Sequence, residues 1–282
     1  MAQYLVLGGA GGVGSAVVDT LVKRGDAVSV TVLNDAEAGR VKDRYDGAVP
    51  AHIVDLANAE DALSSLKSIV SGLERLDAVA ICAAIAPIGP LELTPLSTIR
   101  RTYEINAVSA IATFQAAMPA LRESKGRMVI ITSMSGKLAM PFIGAYTGSK
   151  YGMEGLADVM RREVAHQGVK ISVVEPGGIR TPMVDEQLDT VMTLQGQLDD
   201  EERERYGFLY EGFNRLASES HRSTASSAEQ VAAVVTEALD ADDPEPRYIA
   251  GDDARQFIGM ATSMSDREFD GFFAQAFGPV TA

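Results

Sequence analysis

The sequence predicts an α/β domain, a doubly wound, mostly seven-stranded parallel sheet with helices on both faces. Three observations carry that expectation. Apolar runs of strand length alternate with longer helical runs over the first two thirds of the chain, the cadence of crossover units. The strand-like runs are continuously apolar, as expected where both faces of a sheet are covered. The first of them leads into a glycine-rich turn that opens a helix, the junction at which such sheets bind ligands.

The elements follow in order. QYLVL (3–7) reads as a buried strand, GGAGGVG (8–14) as a turn, and SAVVDTLVKRG as a helix that stops at Gly25. AVSVTVL (27–33) is the second strand and AHIV (51–54) the third. A helical stretch runs from Asp55 to about Ser71, and LDAVAICAA (76–84) is the fourth strand. A long helical pattern fills about 98–122, GRMVIIT (126–132) is the fifth strand, and a helix covers 145–168. VKISVVEPGG (169–178) is the sixth strand and RYIAG (247–251) the seventh. Between those last two the alternation breaks. Residues 184–222 are charge-rich and helix-prone without a strand, and a helix over 227–239 starts with Ser227 and Gln230 spaced as a capping box. Five of the nine phenylalanines fall between Phe257 and Phe277. They read either as a C-terminal helix docking on the core or as an apolar wall over a cleft.

Composition narrows the class of function. The formal net charge of −14 argues against nucleic acid or an anionic membrane surface as a partner. No segment approaches the roughly 18 apolar residues of a membrane span. The N-terminus lacks the basic region of a signal peptide, and the single cysteine, Cys82, fits a reducing compartment. A cytoplasmic protein is expected. His52, His166 and His221 show no metal-ligand spacing, and no metal is expected.

The first chemical site is LGGAGGVG, residues 7–14. Glycines let the backbone approach a pyrophosphate, and a helix N-terminus offers it free N–H groups and a positive dipole end. Dinucleotide binding is expected there, through Gly8, Gly11, Gly12, Val13 and Gly14. The second site is SMSGKLAMPFIGAYTGSK, 133–150, in which Tyr146 and Lys150 share a helix face.

These residues resemble the short-chain dehydrogenase/reductase family over roughly residues 3–183, and more loosely to about 250. The family's Thr-Gly-x-x-x-Gly-x-Gly turn matches Gly8, Gly12 and Gly14, with Leu7 replacing the threonine. Its Asn-Asn-Ala-Gly motif is eroded to Ile81-Cys82-Ala83-Ala84, keeping Ala83. Its helix asparagine matches Asn106, its catalytic serine Ser133, and its Tyr-x-x-x-Lys Tyr146 and Lys150. Its Pro-Gly turn matches Pro176 and Gly177, followed by Ile179 and by Thr181 in the position that contacts the nicotinamide amide. The resemblance implies a Rossmann-type fold, a nicotinamide cofactor, hydride transfer to or from an alcohol or ketone, and a homodimer or homotetramer paired through helices 98–122 and 145–166. It also implies that Asn106 holds a water linking Lys150 to solvent.

The chemistry suits those residues. Hydride transfer from an alcohol needs a group that takes the hydroxyl proton, and a tyrosine of ordinary pKa about 10 is a poor base at neutral pH. A neighbouring ammonium favours the phenolate, a task for Lys150, which can also reach the cofactor ribose. Ser133, at a strand end, would hydrogen-bond the substrate oxygen. Ser135 is the competitor for that role, and family spacing favours Ser133.

Cofactor choice is expected at the end of the second strand. The acidic position of NAD users falls on Val32 and the arginine of NADP users on Leu33. NAD is favoured because Asn34 and Asp35 follow and no lysine or arginine lies in residues 8–16; NADP is the alternative, with Arg40 as its candidate contact. Asp55 and Leu56 match the family's adenine-contacting pair, although Asp55 also reads as a helix N-cap. The sequence around Tyr146 and Pro176 is similar to the hydroxysteroid and retinol dehydrogenase branch, so a bulky lipophilic alcohol or ketone is expected. Ser133, Met134, Leu138, Met140, Phe142, Tyr146 and Met183 would flank it, with Arg180 as a candidate anion contact. The competing class of function is a non-catalytic relative that keeps the sheet as a nucleotide sensor or scaffold. Such relatives lose the tyrosine or lysine, and this chain keeps both. The chain is read as one dinucleotide-binding and catalytic domain, 1–282, with 184–222 as substrate-loop helices and 251–282 as a segment covering the cleft.

Overall fold

Seven strands form one sheet in the order β3-β2-β1-β4-β5-β6-β9, and all six pairings are parallel in the computed structural model. It describes residues 1–278, so the last four residues of the expected cleft-covering segment 251–282 lie outside the described residues. The strands are β1 (Gln3–Leu7), β2 (Ala27–Val32), β3 (Ala51–Ile53), β4 (Ala78–Ile81), β5 (Arg127–Ile131), β6 (Lys170–Pro176) and β9 (Arg247–Ala250). Crossovers run outward from β1 to β3 and then return to β4. The strand order therefore reverses between β1 and β4, which opens a crevice at their C-terminal ends.

Alternate residues of each strand feed opposite faces. Leu5, Leu7, Val79, Ile81, Met128 and Ile130 join a core built with α3 (Ala59–Ser71), α5 (Ser109–Ser124) and α6 (Gly144–Val164). Tyr4, Val6, Ala78, Ala80 and Val129 join the opposite core, built with α1 (Gly12–Lys23) and α9 (Ala228–Asp240). Both faces are apolar, which is why the strands read as continuous hydrophobic runs rather than alternating ones.

The structure departs from the expected elements in three places. A helix unseen in the sequence, α2 (Asp35–Arg44), follows β2; only Val41 of it is buried, so it has almost no apolar stripe. The single helix expected over 98–122 is α4 (Leu96–Tyr103), a π turn at Glu104–Val108, and α5. A two-residue parallel pairing of β7 (Ile179–Arg180) with β8 (Ser226–Ser227) lies outside the main sheet.

The segment 184–222 folds as α7 (Pro182–Gln197) and α8 (Asp200–Ser223), the latter opened by an Asp199–Glu202 capping box. The box expected at Ser227 and Gln230 opens α9. After β9 come α10 (Asp252–Ser263) and α11 (Asp266–Phe277). Among the described residues no helix is long and apolar enough to cross a membrane.

Candidate active site

The glycine turn packs too tightly for side chains. Gly8 (φ +75°) abuts the second residue after β4, and a Cβ there would lie 2.9 Å from the Ala83 backbone. A Cβ on Gly14 would strike the Gly8 carbonyl, and one on Gly12 would come within 2.7 Å of the Thr181 methyl. Helix α1 begins with Gly11 as N-cap, without a side-chain cap and without an acidic residue in its first turn. Its leading amides are left for an acceptor from outside, and an anion suits the dipole end. Val13 is buried in the sheet-face core, so it offers its backbone. These features fit the diphosphate of a dinucleotide.

At the end of β2 the expected contacts are arranged differently. The Asn34 side-chain oxygen caps α2 by accepting from the Glu37 N–H at 3.0 Å. Asp35 is exposed in the first turn of α2. Glu37, which sequence reasoning passed over, brings its carboxylate to the Leu33 N–H at 2.8 Å, and Arg40 lies 3.5 Å from that carboxylate. The signal was an acid five residues beyond the strand, visible only once a helix was assigned there. Asp55 is not a helix N-cap: it accepts from the Ala57 N–H in a local turn, and Asn58 caps α3. Leu56 is buried in the core against α3.

Three groups meet at the C-terminal edge of β4, β5 and β6. Ser133 follows β5, is buried, and accepts from the Ser135 N–H at 3.0 Å. Ser135 itself is 2% exposed and contributes its N–H to that turn. Tyr146 lies in the first turn of α6. Burial raises its phenol pKa, and the neighbouring Ser133 hydroxyl acts in the opposite sense. Lys150 is 2% exposed; its ammonium donates to the Ile131 carbonyl at 2.8 Å and lies 5.6 Å from the Tyr146 ring centroid. Burial pushes that ammonium down to about 8, against the opposing pull of Glu154 and then Cys82. A half-buried phenol beside a buried ammonium of lowered pKa places two proton-carrying groups at one strand end.

Asn106 sits in the π turn, but its side chain does not reach toward Lys150. Its Nδ2 donates to the Ile85 carbonyl at 2.8 Å and to Ser149 Oγ at 3.0 Å, and its Oδ1 accepts from the Ile85 N–H at 2.9 Å. It pins the chain after β4 onto α6. The turn after β6 is held from behind by Asp253, buried at the start of α10, whose Oδ2 accepts from the Gly178 N–H at 2.7 Å. Pro176 is buried, Gly177 faces that carboxylate, and Ile179 packs on the sheet core. Thr181 alone of this group leans on the glycine turn. The Arg180 guanidinium donates to the Ala225 carbonyl, which accounts for its position without an anion.

The expected substrate residues separate into two sets. Leu138 and Phe142 are buried in a third apolar cluster with Val191 and Leu198, Tyr210 and Phe213 of α8, and Phe273 and Phe277 of α11. Met134, Met140 and Tyr146 line its edge, half-buried, and Met183 is exposed at the start of α7. Phe142 has φ +79°, a conformation strained for a bulky residue. Its ring meets Tyr210 edge-on at 4.7 Å and Phe213 at 4.8 Å, and its carbonyl accepts from the Gly89 N–H at 2.8 Å. The C-terminal phenylalanines therefore both dock a helix and back the wall beside Tyr146.

Comparison with known proteins agrees with this geometry. A family profile described as short chain dehydrogenase matches residues 3–191. A 3-amino-tetrahydro-pyrrolizinone reductase of Xenorhabdus hominickii is 30% identical, over 96% of this chain and 94% of its own length. A 17-beta-hydroxysteroid dehydrogenase type 6 of Bos taurus is 28% identical over 90% of this chain and 83% of its own. Among solved structures, a short-chain dehydrogenase from Streptomyces avermitilis superposes with a TM-score of 0.78 at 22% identity, covering 98% of this chain and 97% of that one. One from Burkholderia cenocepacia J2315, in complex with NADP, does so at 0.72 and 18%, covering 99% and 98%. The glycine turn, the parallel sheet and the Tyr-x-x-x-Lys helix thus belong together, and the chain is an oxidoreductase of the short-chain dehydrogenase family.

Proposed function

We propose that this chain transfers a hydride between a nicotinamide cofactor, NAD in preference to NADP, and a bulky lipophilic secondary alcohol or ketone of steroid- or retinoid-like size. Asn106, Ser133, Tyr146 and Lys150 are the residues assigned to the site. The observation that carries this reading is the shared sheet edge, where an uncapped helix N-terminus after β1 and the Ser133–Tyr146–Lys150 group beyond β5 lie at C-terminal strand ends with only β4 between them.

When bound, the nicotinamide supplies the hydride acceptor or donor. Gly11, Gly12, Val13 and Gly14 would hold its diphosphate with backbone amides, and Thr181, after the Pro176–Gly177 turn, would contact its amide. Ser133 donates to the substrate oxygen, and the Tyr146 oxygen takes the hydroxyl proton in oxidation or returns it in reduction. The Lys150 ammonium favours the phenolate electrostatically. The Asn106 side chain is paired with Ile85 and with Ser149, the neighbour of Lys150, so Asn106 serves the site by fixing the segment after β4 against α6. Asp35 and Glu37 favour ribose hydroxyls over a 2′-phosphate at the end of β2, and Arg40 is already close to Glu37. The lipophilic substrate rests on the apolar cluster beside Tyr146 and on a relative named for a hydroxysteroid. Exposed Tyr103, Val108, Tyr151, Leu156 and Val159 on the α4–α5 and α6 side support pairing into a homodimer or homotetramer, and the single cysteine suits a cytoplasmic setting.

The test is a screen of hydroxysteroids, retinols and small polar alcohols with NAD and with NADP, following reduced-cofactor absorbance. Turnover of a lipophilic alcohol with NAD is expected. Turnover of small polar alcohols alone would overturn the substrate assignment, and tighter NADP binding would overturn the cofactor assignment. Tyr146→Phe should lower turnover by about 10²- to 10⁴-fold while cofactor affinity stays within about twofold. A variant that keeps its turnover would remove Tyr146 from the proton path.

A further inference from the structure

A buried ionic cluster lies behind the proton-transfer pair, and none of the steps above uses it. Helix α6 carries Tyr146, Lys150 and Glu154 at intervals of four, so the three stack along one face. The Glu154 carboxylate is 5% exposed. Its Oε2 accepts from Lys137 Nζ at 2.8 Å and from Arg247 Nε at 3.1 Å, while its Oε1 is buried without a hydrogen-bond partner. Glu175 of β6, also buried, places Oε1 at 3.5 Å from Lys137 Nζ and 3.3 Å from Arg247 Nε, again without a hydrogen bond. Arg247 also donates to Asp158 at 3.0 Å, and Asp158 is paired with Arg161 and Arg162. Two buried carboxylates thus share two cations, an arrangement whose desolvation makes it a poor device for stability alone.

The cluster meets the candidate site at two points. Lys137 ends the short turn that starts from Ser133, and the middle of that turn rests on Glu154, where a Cβ on Gly136 would lie 2.8 Å from Glu154 Cγ. Lys150 is the other point. Its ammonium donates to the Ile131 carbonyl of β5 and lies 5.6 Å from the Tyr146 ring centroid, and the charges that act on it are those of Glu154, one helical turn along, and the Cys82 thiol after β4. Glu154 is the only carboxylate among these.

We propose that Glu154 is a positioning residue whose buried carboxylate, clamped by Lys137 and Arg247, fixes the charge of the Lys150 ammonium and the seat of the Ser133 turn. A clamped anion holds the lysine protonated in a site where desolvation drives it toward the neutral amine. The bound, positively charged form of a nicotinamide would add to that drive. Glu154 carries no proton to substrate; it acts through Lys150. The role rests on Tyr146 and Lys150 being the proton-transfer pair, which Tyr146→Phe tests separately.

The experiment is a carbon-13 NMR titration of the full chain labelled at lysine Cε, with the Lys150 signal assigned by its loss in Lys150→Arg. The parent midpoint should lie at about 8. Glu154→Gln should lower it by about one unit, Glu154→Asp should restore most of the difference, and Glu175→Gln should move it less than Glu154→Gln does. Lys137→Gln removes a cation from the half-exposed side of the clamp and should move the midpoint upward. That opposite sign keeps the proposal testable should Glu154→Gln fail to fold. An unmoved midpoint in Glu154→Gln, with only a lower melting temperature, would make the cluster merely structural and overturn the proposal. An unmoved or lowered midpoint in Lys137→Gln would do the same. Because the titration reads the ammonium itself, its failure cannot be confused with failure of the hydride-transfer assignment.

Discussion

A lysine ammonium that is 2% exposed, with one carbonyl as its hydrogen-bond partner, is held against its own hydration. Lys150 lies at about 8 in the folded chain against 10.5 for the free side chain. Between those two values the unfolded chain keeps a proton that the folded chain has released, so stability rises with pH across that window. Below about pH 8 the buried charge destabilises the fold by about 3 kcal/mol, taking 1.36 kcal/mol per unit. Lys150→Met removes that burden and leaves the Ile131 carbonyl without its donor, a loss of about 1–3 kcal/mol. The variant is expected to be inactive yet no less stable than the parent at pH 7 by denaturant titration. It should then lose ground steadily as the pH is raised from 8 to 10. A stability difference that stays constant over that range would contradict a buried, charged Lys150. Tyr146 and Lys150 could be placed in the sequence because a helical period sets them on one face, whereas the strand end alone left Ser133 and Ser135 open and family spacing chose between them. The engagement of Asn106 with Ile85 was not legible, because its partner is a main-chain group twenty-one residues away.

Caps and periodicity decide what could be read at the level of elements. Helix α9 announces itself: Ser227 Oγ accepts from the Gln230 N–H at 3.2 Å, and Gln230 Oε1 accepts from the Ser227 N–H at 2.7 Å. Five buried apolar residues follow on one face. Ser227→Ala should cost about 1 kcal/mol, measured as a lower denaturation midpoint with an unchanged slope. No change would mean that packing alone sets the start of α9. Helix α2 stayed hidden because its single buried residue, Val41, leaves no stripe, and its cap, Asn34, reads equally as a ligand contact. The π turn leaves no period in the sequence either. It inserts one residue between α4 and α5, and the Ser109 N–H reaches back to the Glu104 carbonyl. That insertion places Asn106, so the element that could not be read is the one that sets a residue that could. Two-residue strands such as β7 and β8 carry no pattern to find.

Among the described residues the apolar interior divides into three clusters, two on the faces of the sheet and one beneath α7, α8 and α11. The sheet was legible because a strand covered on both faces must be apolar throughout. The third cluster was only half legible: Leu138, Phe142 and the C-terminal phenylalanines stood out, whereas their partners Tyr210 and Phe213 lie far along the chain in a charged helix. Its separateness has a consequence. Phe213 is 5% exposed with its ring 4.8 Å from that of Phe142, so Phe213→Ala opens a cavity beside the strained Phe142 turn and removes about 3–5 kcal/mol of packing. If the third cluster closes the substrate side alone, the loss should stay there. Cofactor affinity should hold within about twofold while KM for a bulky alcohol rises several-fold. Amide exchange should quicken in α7, α8 and α11 but not in β1, β4, β5 or β6. Equal quickening across the central strands, or an equal loss of cofactor affinity, would show that the cap and the sheet unfold as one unit and that the cap is not a separate wall.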